Sequence, residues 1–125
     1  MSAEEAVACA EAGAKGIVVS NHGGRVLDGM AGTADVLPDI AVAVKGRITI
    51  FVDGGVRHGE DILKMLASAP TPSSSAGQLP SRLVGGGAEG VKLLLDTLKR
   101  QLMDAMMITG TRDLSHVPAN VVRKL

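Results

Sequence analysis

The chain has 125 residues, and its 13 lysines and arginines balance 13 aspartates and glutamates, so it carries no net charge at neutral pH. That balance gives no field to gather nucleic acid or an anionic membrane, and Phe51, the only aromatic residue, leaves no platform for base stacking. The single Cys9 excludes an internal disulfide, no apolar run reaches the length of a membrane span, and the acidic start Ser2-Ala3-Glu4-Glu5 is unlike a signal peptide, which together point to a soluble cytoplasmic protein of one domain.

Ser2-Ala3-Glu4-Glu5 is a capping-box start for a first helix, with Ala6, Val7 and Ala10 on one apolar face, Cys9 as a small buried residue, and Gly13 as a stop. Gly16 to Ser20 is apolar without alternation, as in a strand buried on both faces of a parallel sheet. Thr33-Ala34-Asp35 can cap a helix carrying Val36, Leu37, Ile40, Ala41 and Val44, with Pro38 tolerable only in about its first turn. A second strand runs from about Arg47 to Val52, and Glu60 to Ala67 reads as a helix with Ile62, Leu63, Met65 and Leu66 inside. Ser68 to Pro80 has no period of either kind and reads as a loop or linker. Gly85-Gly86-Gly87 then enters the strongest helix, striped by Val91, Leu94, Leu95, Leu98, Leu102, Ala105 and Met106 and ended by Thr109-Gly110. Alternating βα units with short connections predict a parallel α/β architecture.

Each strand runs into a glycine-rich loop. Ser20-Asn21-His22-Gly23-Gly24-Arg25 pairs a histidine, able to move a proton near neutral pH, with an arginine able to grip a carboxylate. Asp53-Gly54-Gly55-Val56-Arg57 suits a phosphate, through backbone N–H groups and a guanidinium. Taken alone, a loop histidine is more often solvated than catalytic, and Arg57 is as readily a surface cation. His58 and His116 lack partner spacing and read as surface residues; Met103, Met106 and Met107 read as core. No cluster has metal-ligand spacing, and Gly85-Gly86-Gly87 lacks the lysine of a P-loop.

The blocks Gly16-Ile17-Val18-Val19-Ser20-Asn21-His22-Gly23-Gly24-Arg25 with Leu27-Asp28-Gly29, then Asp53-Gly54-Gly55-Val56-Arg57, then a last helix ending Met106-Met107-Ile108-Thr109-Gly110, resemble the FMN-dependent α-hydroxy-acid dehydrogenases and oxidases. The resemblance implies the C-terminal part of a (β/α)8 TIM barrel: strands six and seven with their helices, a degraded strand eight, and the final helix. It implies FMN as cofactor and a small 2-hydroxy acid as substrate. By the same resemblance His22 is the active-site base, Arg25 holds the substrate carboxylate, and Ser20 contacts the flavin ring region. Asp53, Gly54, Gly55, Val56 and Arg57 form the FMN loop, and Asp28 fixes a loop or an ion pair.

Two departures qualify that picture. Residues 68–83 are atypical within an otherwise continuous 1–125 unit, where the family's eighth strand ends in Gly-Arg. A shifted reading frame across Ser68 to Gln78 can spell Gly-Ala-Asp-Ala-Val-Leu-Ile-Gly-Arg-Pro, the strand the family expects, and the coding DNA decides the point. A full barrel also takes about 250 residues, so the flavin-contacting lysine, the substrate tyrosines and the aspartate that orients the histidine have no counterpart here. The expectation is therefore a fragment inactive alone, or a non-catalytic half-barrel that binds phosphate or FMN weakly or associates with another chain, a homo-oligomer included. The ending Arg123-Lys124-Leu125 resembles a peroxisomal Ser-Lys-Leu address but has a bulky cation in place of the small residue.

Overall fold

The first helix begins where two side chains satisfy each other's backbone. Glu5 N–H donates to the Ser2 hydroxyl at 3.2 Å, and Ser2 N–H donates to the Glu5 carboxylate at 3.0 Å, the reciprocal box that the spacing predicts. This helix, α1, spans Ala3–Glu11. In the computed structural model, which describes residues 1–69, 77–78 and 86–123, it is followed by β1 (Gly16–Val19), α2 (Thr33–Val44), β2 (Thr49–Val52), α3 (Gly59–Ser68), β3 (Gly77–Gln78) and α4 (Gly87–Thr109). Single 3-10 turns occupy His22–Gly24, Leu114–His116 and Ala119–Val121.

The three strands are parallel in the order β1-β2-β3, with Ile17 beside Ile50, Val19 beside Val52, and Val52 beside Gln78. Because side chains alternate along a strand, Val19, Ile50 and Val52 share one face. They join Ala6 of α1, Leu37, Ile40, Ala41 and Val44 of α2, and Met65 of α3 in the core. Each of the valine, leucine, isoleucine and methionine side chains among them stabilises by about 1.5–3 kcal/mol when fully buried. The opposite face is a correction to the expectation of a doubly buried strand: Val18 is 54% exposed and Phe51 39%. Among the described residues, the helices packed in this core line one side of the sheet.

Local chemistry explains the other differences. The N-cap of α2 is Gly32, without a side-chain hydrogen bond, and Thr33 is the first helical residue rather than the cap. Pro38 is the sixth residue of α2, a turn deeper than expected; it lacks the N–H that would reach back to Ala34, yet the helix continues because Leu37, Ile40, Ala41 and Val44 are all buried. Cys9 is exposed, not buried. It lies on the flank of α1 over a hollow it shares with Ile17 and Val18. Helix α4 packs on α3, but only Leu98 of its stripe is fully buried, while Leu95, Met103 and Met107 are exposed. Within the Pro/Ser-rich stretch, read as loop, Gly77–Gln78 forms the short β3. The expectations for 70–76, 79–85 and the last two residues lie outside the described residues.

Candidate active site

Both glycine-rich loops leave the sheet at one end, because β1 and β2 are parallel and in register through Val19 and Val52. Asp53 N–H still donates to Val19 O at 3.2 Å, so the second loop starts against the root of the first. Beyond that point side chains join them. The Asn21 amide accepts from Gly23 N–H at 3.0 Å and donates to Ala31 O at 3.3 Å, tying the first loop to its own return. A Cβ placed on Gly54 would lie 3.5 Å from both Asn21 Oδ1 and Thr33 Oγ1. The Thr33 hydroxyl, buried at the start of α2, donates to Asp53 O at 2.8 Å.

His22 has φ 53, a left-handed conformation that few residues other than glycine adopt and that histidine enters more readily than most. Its backbone N–H donates to Ser20 Oγ at 3.2 Å, and its carbonyl accepts from Arg25 Nε at 3.3 Å. The loop thus closes on its own polar groups and leaves the His22 and Arg25 side chains exposed. Among the described residues the His22 imidazole has no hydrogen-bond partner. Asp28 accepts from Gly29 N–H at 3.0 Å and so fixes its own turn.

The second loop is held from below. Val56 is buried, and the Asp61 carboxylate accepts from the N–H groups of Arg57 and His58, each at 3.0 Å. Partial burial acts to raise the Asp61 carboxyl, but those two N–H donors and the Lys64 ammonium at 3.2 Å outweigh it and hold the group below the usual aspartate value. Gly54 and Gly55 both have φ +85, which only glycine takes without strain. Asn21, Gly23, Gly54, Gly55 and Arg57, with Asp61 and Lys64, line an open groove of about 640 Å3. His22 and Arg25 are not part of its lining, and Ser20 faces the separate hollow beside β1. Asn21, Thr33 and Asp61, which join or brace the loops, are residues that sequence reasoning did not single out for the site. Asp61 carried a signal as an acidic residue three positions after His58 at a helix start, while Asn21 lay inside the quoted loop block and Thr33 read as a helix cap.

Anion-facing backbone donors with a nearby guanidinium are what a phosphate-bearing cofactor needs. Gly54 and Gly55 N–H have no protein acceptor among the described residues, so the loop fits such a group. No group of histidines, cysteines and carboxylates among the described residues is placed to hold a metal ion.

The structure is thus a parallel β/α array with two glycine-rich loops at one strand end, one bearing His22 and the other Arg57. The family model described as FMN-dependent dehydrogenase matches residues 1–124, and the chain belongs to that family. An L-lactate dehydrogenase from Caulobacter sp. (strain K31) is 43% identical over 121 residues, 97% of this chain and 32% of that protein. One from Allorhizobium ampelinum is 41% identical over 123 residues, 98% of this chain and 32% of its own length. The chain superposes on a mandelate oxidase solved with benzoyl-formic acid with a TM-score of 0.84 and 39% identity, over 95% of this chain and 36% of that one. A variant mandelate oxidase with a monooxide FMN adduct gives a TM-score of 0.84 and 39% identity, over 95% of this chain and 38% of that one. The chain therefore spans about a third of the length of the relatives it matches.

Proposed function

We propose that this chain carries the proton-transfer loop and the cofactor-phosphate loop of an FMN-dependent oxidoreductase that converts a small 2-hydroxy acid to the 2-oxo acid. The observation that carries the reading is the meeting of the two loops at one strand end, with Asn21 and Thr33 against Gly54. In this assignment β1 and β2 are strands six and seven of a (β/α)8 barrel and β3 stands where the eighth belongs. Asp53, Gly54, Gly55, Val56 and Arg57 hold the FMN phosphate and ribityl oxygens, and Ser20 is assigned to the flavin ring region although it lines a separate hollow beside β1. FMN bound there would supply the two-electron acceptor for the hydrogen on the substrate's α-carbon. His22 takes the proton released from the substrate. Arg25 grips the substrate carboxylate; its Nε is held by the His22 carbonyl, which leaves its terminal nitrogens for a bidentate pair.

A general base works best when a second group fixes its tautomer and stabilises its protonated form. The exposed His22 imidazole has no such partner among the described residues, so turnover requires further parts of the barrel. The test is to add FMN to the purified 125-residue chain and supply glycolate, lactate or mandelate. The expected result is flavin binding without bleaching. Turnover abolished by His22→Ala contradicts the inactivity, and absence of flavin binding contradicts the assignment of the loop.

A further inference from the structure

A residue outside the second glycine-rich loop makes contact with two of that loop's carbonyl groups. Thr33 is only 4% exposed, and its hydroxyl donates to Asp53 O at 2.8 Å and lies 3.5 Å from Gly54 O. In a trans peptide the carbonyl oxygen and the following N–H point in opposite directions within one plane, and the chain has no cis peptide among its described residues. With both carbonyls drawn toward the start of α2, the N–H groups of Gly54 and Gly55 face away from it. The two glycines border the groove that also contains Arg57, and neither N–H has a protein acceptor among the described residues.

We propose that Thr33 is a positioning residue that turns the Gly54 and Gly55 N–H groups outward as a paired donor for an anionic group, the phosphate of FMN. This rests on the proposed function for the identity of the anion but not for the orientation of the peptides. Losing the hydroxyl leaves the half-buried Asp53 carbonyl without its donor and frees both peptides to rotate.

The experiment compares wild type, Thr33→Val, which keeps the shape without the hydroxyl, and Thr33→Ser, which keeps the hydroxyl. Backbone amide resonances of Gly54 and Gly55 are followed without ligand and then during titration with inorganic phosphate and FMN. Without ligand, Thr33→Val is expected to shift both resonances while Thr33→Ser restores them and the core resonances of Leu37 and Ile50 stay in place. In the titrations Thr33→Val is expected to bind roughly tenfold more weakly and Thr33→Ser within about twofold of wild type. Unmoved Gly54 and Gly55 resonances in Thr33→Val overturn the positioning role. Moved resonances in a protein that binds neither phosphate nor FMN uphold it and instead remove the FMN assignment.

Discussion

The sharpest packing test is Gly59→Ala at the start of α3. A Cβ at this position would lie 2.2 Å from Leu102 N, 2.4 Å from Leu98 O and 2.7 Å from Gln101 C. All three are backbone atoms of α4, so no side-chain rotation relieves the clash, and α4 must move off α3 by about an ångström to reach ordinary contact. Forced overpacking costs about 1–3 kcal/mol. The shift also strains the 2.9 Å hydrogen bond from Gly59 N–H to Gln101 Oε1, a further loss of about 0.5–1.5 kcal/mol. The expected destabilisation is therefore roughly 2–4 kcal/mol, measured by urea unfolding followed by circular dichroism. As a control, Gly90→Ala inside α4 meets nothing within 4 Å and should stabilise by a few tenths to about 1 kcal/mol. A Gly59→Ala variant within about 0.5 kcal/mol of wild type would refute the close approach of α3 to α4.

Three further outcomes follow from the same geometry. His22→Gly relieves a left-handed non-glycine residue and should raise stability by about 0.5–1 kcal/mol in thermal unfolding. Asp61→Asn should cost about 1–2 kcal/mol at neutral pH. Because the Asp61 carboxyl is held below its unfolded value, its stabilisation is present above that value and is lost as pH falls through the folded one, so the gap between wild type and variant should close in acid. Val52→Thr should cost about 1–3 kcal/mol at a position 1% exposed, whereas Val18→Thr, 54% exposed, should stay within about 0.5 kcal/mol; urea midpoints of the two variants make the comparison.

What the sequence made legible was local. The Ser2–Glu5 box, the αα-spaced core positions Leu37, Ile40, Ala41 and Val44, and the stop at Gly110 each depend on neighbours within a turn or two, and each stands where expected. Burial was less legible, because it depends on which element covers a residue. The apolar run in β1 looked fully buried, yet Val18 is exposed because α1, α2 and α3 line only one sheet face. Cys9, Met103 and Met107 were misread for the same reason. The joining of the loops was hidden for another: Thr33 and Asp53 are 20 positions apart, and a threonine at a helix start reads as a cap until the fold brings a carbonyl to it. The glycine-rich blocks, by contrast, were visible outright as sequence, and the parallel register of β1 and β2 carries both to the same end of the sheet.

The most direct test of the account is a titration of FMN into wild type and Arg57→Ala, read by quenching of flavin fluorescence. The account predicts saturable one-to-one binding by the wild type and affinity at least about tenfold lower in Arg57→Ala, the loss expected for a charge-assisted contact to phosphate. Equal affinity in the two proteins would contradict it.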